Sequence, residues 1–116
     1  MVAIVGGRDF ANQLLFDETL ERFVVDYGMP SVVISGGAKG ADTMAEKWAK
    51  KMKISMLIIK PTWRDDHGKY DKAAGIKRNT QIIAQSTHVI AFPTGGKGTE
   101  DSIKKAKKMN KILIIK

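Results

Sequence analysis

The sequence predicts a three-layer α/β sandwich with a five-stranded parallel sheet and four crossover helices. Two observations lead to this fold class. Short aliphatic runs alternate along the chain with segments of helical spacing, which is typical of successive strand–helix–strand units. The runs are apolar at consecutive positions, which indicates strands that helices cover on both faces. We expect these five strands in the order 3-2-1-4-5.

Five apolar runs are the predicted strands, and they occupy residues 2–5, 32–35, 54–59, 88–92 and 112–115. The clearest helix repeats small and apolar residues at i, i+3 and i+4 from Ala41 to Met52. An earlier stripe ends at Gly28 and Pro30, which together form a helix stop. The predicted helices cover about residues 15–27, 41–52, 73–85 and a segment that begins near Thr99.

Length and composition limit the functional classes. The 116 residues are enough for one domain, which we expect to span residues 1–116. The chain has no cysteine, and its two histidines, His67 and His88, are far apart in sequence, so we expect no metal and no cofactor. We see neither a leader nor an apolar stretch of about 20 residues, and therefore expect a cytoplasmic protein without a membrane partner.

The formal net charge of +8 has two interpretations. Lysines cluster at residues 47–53 and 104–111, on the polar faces of two predicted helices. Such clusters are typical of solvated surface, and they also suit a groove that binds single-stranded nucleic acid. The sequence leaves both interpretations open.

Three glycine-rich turns carry the main functional signal. They follow the first, second and fourth predicted strands, and the carboxyl ends of parallel strands share one edge of a sheet. Glycines let a ligand approach backbone N–H groups closely, and the N-terminus of a following helix favours an anion such as phosphate. The three turns are residues 6–9, 35–42 and 93–99.

These turns, with several motifs between them, resemble the SLOG superfamily and most closely its YspA-like branch. The resemblance covers nearly the whole chain and runs in order through Gly-Gly-Arg-Asp-Phe at 6–10, the second turn, Pro61 and Trp63, Gly68-Lys69, Ala74-Gly75, Arg78-Asn79 and the third turn. It implies a Rossmann-like domain that binds a nucleotide-derived ligand, and an assembly of two or more copies, since relatives are often oligomers.

The superfamily also includes LOG-type phosphoribohydrolases, which cleave the N-glycosidic bond of nucleoside monophosphates. Arg78 matches their arginine, whereas Asn79 stands in place of their lysine and Thr94 is an extra residue before the glycines. Their catalytic glutamate corresponds to Ser102, which cannot supply a carboxylate. Glu100 and Asp101 are therefore the candidate catalytic residues if this chain is such an enzyme.

Further candidate residues lie around the turns. Arg78 could bind a phosphate through two parallel hydrogen bonds. Asn79 could hydrogen-bond a ribose or base, or cap its helix. Trp63 lies in a long strand-to-helix connection and could stack on a base or anchor the loop. The candidate ligand-binding residues are Gly6, Gly7, Arg8, Asp9, Ser35, Gly36, Gly37, Lys39, Gly40, Asp42, Trp63, Lys69, Arg78, Asn79, Gly95, Gly96, Gly98 and Thr99.

The sequence thus favours a module that binds a nucleotide or nucleotide-derived ligand, as a sensor or a sequestering protein. We expect the amides of residues 36–40 and 95–99 to hold phosphate. Two alternatives remain open at this point: a nucleoside-phosphate N-glycosidase, and a single-stranded nucleic-acid binder. We expect a homo-oligomer in either case.

Overall fold

The computed structural model describes residues 1–64 and 67–116. Within them, strands and helices alternate strictly along the chain. The elements are β1 (Val2–Gly6), α1 (Gln13–Tyr27), β2 (Val32–Ser35), α2 (Ala41–Lys51), β3 (Ser55–Ile58), α3 (Ala74–Gln85), β4 (His88–Phe92), α4 (Lys97–Lys108) and β5 (Ile112–Ile115). All strand pairs are parallel and the order is β3-β2-β1-β4-β5, which confirms the predicted fold class and strand order.

The apolar core has two parts because the central strand sends alternate side chains to opposite faces. Val2 and Ile4 of β1 pack with α1 and α2, whereas Ala3 and Val5 pack with α3 and α4. None of these four side chains is more than 7% exposed. Burial on both faces is the physical reason for the consecutive apolar positions in the sequence.

Two helices begin earlier than expected, and the first of them is α1, which begins at Gln13 rather than at about residue 15. Helix α4 begins at Lys97, two residues before the predicted start near Thr99. Gly96 is the N-cap residue and no side chain caps the helix, so Thr99 is the buried third residue of α4 rather than its cap. Among the described residues, the first amides of α4 therefore have no capping side chain.

The topology creates an opening between two neighbouring strands. β1 and β4 are paired along their whole length, from Val2 opposite His88 to Gly6 opposite Phe92. The chain leaves β1 toward the α1/α2 layer and leaves β4 toward the α3/α4 layer. Ligands of open parallel sheets bind at such a switch point, outside the carboxyl ends of the strands.

Two structural facts concern membranes and metals. Among the described residues, no helix combines the length and apolar character that a bilayer span needs. That part of the chain also holds no group of three or more acidic, cysteine or histidine side chains that could hold a metal ion.

Candidate functional site

A crevice of about 560 Å³ opens at the carboxyl ends of β1 and β4. Its volume lies within the roughly 300–1,000 Å³ that is usual for small-molecule sites. Twelve predicted ligand residues line it: Gly6, Gly7, Arg8, Asp9, Gly36, Asp42, Arg78, Asn79, Gly95, Gly96, Gly98 and Thr99. Three separate turns and helix α3 therefore contribute to one site.

The third turn is open to the crevice. A methyl group at Gly95, Gly96 or Gly98 would meet no neighbouring atom of the described residues within 4 Å. The amides in the first turn of a helix have no intrahelical partner, and α4 has no side-chain cap. The N-terminus of α4 therefore presents free N–H groups and the positive end of its dipole to open space.

The first two turns use their glycines to pack against each other. A side chain at Gly6 would approach the Ala41 Cβ within 2.5 Å. Gly40 has a φ of +70°, and a side chain there would clash with the carbonyl oxygen of Gly7. The Ala41 amide donates to that same oxygen at 3.4 Å. These glycines are required because two backbone segments meet closely.

The second turn uses two of its amides within the chain. The Gly37 amide donates to Ser35 Oγ at 3.3 Å, and the Ala38 amide donates to Asp42 Oδ2 at 3.1 Å. A carboxylate thus occupies the place beside α2 where the sequence suggested a phosphate. The amides of residues 95–99 are the better-placed donors for an anion.

Arg78 and Asn79 on α3 belong to one network of hydrogen bonds. Arg78 Nη1 donates to the Gly36 carbonyl at 3.1 Å, and Arg78 Nε donates to Asn79 Oδ1 at 3.0 Å. Asn79 Nδ2 in turn donates to the Gly98 carbonyl at 3.3 Å and to Asp101 Oδ2 at 3.2 Å. Asn79 therefore connects Arg78 to the start of α4. Its side-chain amide is engaged in hydrogen bonds within the chain.

Two arginines face the same crevice from different elements. Partial burial is the main cause that lowers the pKa of Arg78, Asp42 opposes this effect, and the nearby charge of Arg8 lowers the pKa further. An arginine remains charged in any case. The charges of Arg8 and Arg78 repel each other, and a bound anion that contacts both would offset this repulsion.

Asp42 is a buried carboxylate in the same crevice as the two arginines. Only 8% of the residue is exposed. Burial is the largest cause that raises its pKa, the Ala38 amide and the Arg78 charge lower it, and Glu46 on α2 raises it. The pKa of Asp42 rises overall because the loss of hydration destabilises the charged carboxylate by more than its local partners stabilise it.

We expect Asp42→Asn to stabilise the protein at neutral pH. An acid whose pKa is higher in the folded state than in the unfolded state stabilises the fold fully below its unfolded-state pKa, which is 3.8 here. This stabilisation is lost as the pH rises through the folded-state pKa. The variant lacks that loss, so its free energy of unfolding should exceed that of wild type at pH 7. Urea unfolding at pH 7 and near pH 4 measures the difference, which should shrink at the lower pH. A destabilisation of equal size at both pH values would contradict this origin.

Thr94 connects the first and third turns across the crevice. Its hydroxyl donates to Asp9 Oδ1 at 2.5 Å, and Phe10 stacks on Phe92 beneath the first turn with ring centroids 4.7 Å apart. The residue that is extra relative to the phosphoribohydrolase motif is thus part of the wall. Its hydrogen bond spans 85 positions of sequence, which no local pattern indicates.

The candidate catalytic carboxylates lie outside the crevice wall. Asp101 pairs with Lys105 at 2.5 Å and accepts from Asn79, while Glu100 is exposed. Among the described residues, the carboxylates that line the crevice are Asp9 and Asp42. Ser102 is 2% exposed and lines the crevice, at the position where phosphoribohydrolases have their glutamate.

The long connection before α3 places its aromatic residues beside the crevice rather than in its wall. Trp63 stacks on Tyr70 with centroids 6.0 Å apart, and the Arg64 guanidinium lies 5.8 Å from the centre of the Tyr70 ring. Trp63 is 41% exposed. Six predicted ligand residues of the described chain do not line the crevice: Ser35, Gly37, Lys39, Gly40, Trp63 and Lys69.

Five lining residues were not among the predicted ligand contacts. Ile82 lies one helical turn after Arg78, so its position on the same helix face could have indicated it. Ala38 lies within the second predicted turn, Val5 directly precedes the first, and Ser102 falls one helical turn after Gly98 in α4. The fifth is Thr94, whose contribution depends on the contact between two turns.

Comparison with known proteins supports the sequence resemblance. The model of the YspA, cpYpsA-related SLOG family matches residues 1–65. Gene 61 protein of Mycobacterium phage D29 is 36% identical over 85 residues, which are 71% of this chain and 66% of that protein. The match thus spans slightly less than two thirds of the relative's length.

Two solved structures share the fold. DNA processing protein A from Helicobacter pylori, described for its single-stranded DNA binding mode, aligns with a TM-score of 0.74 at 23% identity, over 98% of this chain and 63% of that chain. The molybdenum cofactor binding protein from Rippkaea orientalis aligns with a TM-score of 0.72 at 24% identity, over 98% and 74% of the two chains.

Proposed function

Because the chain belongs to the YspA, cpYpsA-related SLOG family, we propose that it binds a nucleotide or nucleotide-derived, phosphate-bearing ligand in the crevice between β1 and β4. The observation that carries this proposal is the open N-terminus of α4, which faces the same space as Arg78 and Arg8. Backbone amides, a helix dipole and two guanidinium groups together favour a multiply charged anion.

The ligand's phosphate is assigned to residues 95–99. The three glycines there leave space for a ligand beside the backbone, whereas the second turn has a carboxylate at the corresponding place. Arg78 Nη2 and the second hydrogen of Nη1 are additional donors, since Nε and one Nη1 hydrogen serve Asn79 and Gly36. Apolar contact from Val5 and Ile82 suits a sugar or base.

A thermal-shift panel tests binding. The panel consists of AMP, ADP, ADP-ribose, NAD, a cyclic dinucleotide and inorganic phosphate. A ligand at 100 times its dissociation constant stabilises the folded state by about 2.7 kcal/mol, which raises the melting temperature by several degrees. We expect a shift with at least one nucleotide that exceeds the shift with inorganic phosphate. The absence of a shift with every nucleotide would contradict the proposal.

We expect Gly98→Ala to weaken AMP binding by about 10-fold while the protein keeps or gains stability. The new methyl group enters the space that the phosphate needs, and overpacking of this kind costs about 1–3 kcal/mol. Alanine is the better helix former, so the free energy of unfolding should rise by up to about 1 kcal/mol. Isothermal titration calorimetry with AMP and a thermal melt give the two quantities.

Gly75→Ala is the matched control. Gly75 and Gly98 are each the second residue of a helix, and Gly75 lies outside the lining of the crevice. A methyl group at Gly75 would make an ordinary 3.5 Å contact with Trp63 Cη2. It should change stability in the same direction and leave AMP affinity unaltered. Equal affinities for both variants would place the phosphate elsewhere.

We propose that the ligand is bound without being cleaved, as in a sensor or sequestering protein. Ser102 occupies the glutamate position, and Glu100 and Asp101 do not line the crevice. Incubation with AMP should therefore release no adenine, as followed by chromatography. Adenine release that disappears in the Glu100→Gln, Asp101→Asn double variant would instead establish the N-glycosidase alternative.

Single-stranded nucleic acid is a second candidate ligand, which the net charge of +8 and the structural similarity to DNA processing protein A favour. Its affinity for a short oligothymidylate should fall steeply between about 50 and 200 mM salt. Loss of this binding in a variant with Lys104, Lys107 and Lys108 changed to glutamine would assign it to α4, while loss in Arg78→Ala alone would assign it to the crevice.

Two further expectations also stand as proposals. We propose that residues 1–116 act as one domain, which predicts a single cooperative unfolding transition. We also propose that the protein forms a homo-oligomer. Light scattering after size-exclusion chromatography distinguishes an oligomer from the 12.8 kDa monomer.

A further inference from the structure

The crevice contains one buried group that does not suit a phosphate. Asp42 lies at the start of α2, is 8% exposed and lines the crevice with Arg78 and Asn79. The other lining carboxylate, Asp9, is exposed and accepts from Thr94. A buried carboxylate requires an explanation, because charge removed from water destabilises the folded state unless partners compensate.

The hydrogen bonds that Asp42 accepts within the chain do not require its charge. The Ala38 amide donates to Oδ2 at 3.1 Å, and an asparagine carbonyl could accept this bond equally well. Arg78 lowers the pKa of Asp42, but the burial of the carboxyl outweighs that effect. A carboxylate has about four acceptor positions, so the bonds from the Ala38 amide and the Ser35 hydroxyl leave acceptor capacity for a group in the crevice.

The two sides of the crevice therefore differ in what they accept. The α4 side offers amide donors and open space, and the α2 side offers an acidic acceptor. A phosphate beside Asp42 would meet a like charge, while a hydroxyl there could donate to the carboxylate. A ligand with an anionic end and a hydroxyl-bearing end fits in one direction only.

We propose that Asp42 is a specificity-determining residue that accepts a hydrogen bond from a ribose hydroxyl of the ligand, so that the crevice selects ribonucleotides over deoxyribonucleotides. This inference rests on the proposed function and deepens it. It fixes the ligand's direction, with the phosphate at residues 95–99 and the sugar hydroxyls at the N-terminus of α2. It also separates the crevice ligand from single-stranded DNA, which lacks the 2′-hydroxyl.

The test compares AMP, 2′-deoxy-AMP and 3′-deoxy-AMP as probes on the full chain by calorimetry. Wild type should bind AMP at least about 10-fold more tightly than one of the deoxy analogues. Asp42→Asn should reduce this ratio to about 3-fold or less, and it should bind inorganic phosphate more tightly than wild type because the like charge is gone. A thermal melt of each variant confirms folding.

Glu46→Gln is the control for charge. Glu46 lies one helical turn further along α2, contributes to the charge around Asp42 and does not line the crevice. This variant should keep the wild-type ratio. Asp42→Ala, which leaves no side-chain acceptor, serves as a second variant if Asp42→Asn fails to fold, and it should also lose the discrimination.

Each other outcome has a defined consequence. Equal affinity of wild type for all three nucleotides would overturn the inference and leave the proposed function intact, as would a ratio that persists in Asp42→Asn. If wild type binds none of the three probes, nor any nucleotide of the thermal-shift panel, the proposed function falls and the inference falls with it.

Discussion

Arg78→Ala should weaken AMP binding by about 100-fold, which is the largest effect on binding that we expect from one substitution. The variant removes a half-buried guanidinium that lines the crevice and has donors beyond those that bond Asn79 and Gly36. Charge-assisted hydrogen bonds contribute about 1.5–3 kcal/mol each, and 1.4 kcal/mol corresponds to a factor of ten. Calorimetry with AMP at constant salt concentration measures the loss.

Two comparisons make this result specific to the site. Arg22→Ala removes the same charge from an exposed pair with Asp26 on α1 and should leave AMP affinity within about 2-fold of wild type. Arg78→Lys keeps the charge but cannot bond Gly36 and Asn79 in the same planar arrangement, so we expect only partial recovery. Equal losses in Arg22→Ala and Arg78→Ala would mean that net charge, rather than the crevice, determines binding.

Gly40→Ala should be the most destabilising of the substitutions discussed, with a loss of about 3 kcal/mol or more in the free energy of unfolding. Gly40 has φ +70° and ψ −122°, a conformation that side chains strongly disfavour. The added methyl group would also clash with the carbonyl oxygens of Gly7 and Arg8. Urea unfolding followed by circular dichroism measures the loss.

Gly28→Ala separates the two causes. Gly28 also has an unfavourable backbone conformation, with φ +85° and ψ 176°, but a methyl group there would meet no atom of the described residues within 4 Å. Its loss should be limited to the conformational cost of about 1–3 kcal/mol. Similar losses in both variants would show that the first and second turns can separate without penalty.

The sequence was sufficient to predict the fold because its signals are local. Strand β1 is apolar at four consecutive positions, and both faces of the sheet are covered at Val2, Ala3, Ile4 and Val5. Helix–strand alternation then leaves few topologies. The start of α4 was misplaced because glycine is a permissive N-cap residue, and the threonine three positions further on is a stronger sequence signal.

The site was only partly predictable because its composition depends on contacts between distant segments. Glycines in all three turns look alike in sequence, yet Gly40 packs on the first turn and Gly96 borders open space. The hydrogen bond between Arg78 and Gly36 spans 42 positions. Neither periodicity nor a motif indicates that the Asp42 carboxylate accepts a hydrogen bond from the Ala38 amide. The carboxylate lies at the place beside α2 where the sequence suggested a phosphate.

The central proposal is that an anionic ligand binds at the N-terminus of α4. The most direct test is an amide NMR titration of the isotope-labelled protein with AMP. We expect the largest shift changes at the amides of residues 95–99 and at the Arg78 side chain, with smaller changes at Gly37 and Ala38, whose amides already have partners in the chain. Changes centred instead on the lysines of the C-terminal half of α4, with residues 95–99 unaffected, would contradict the claim.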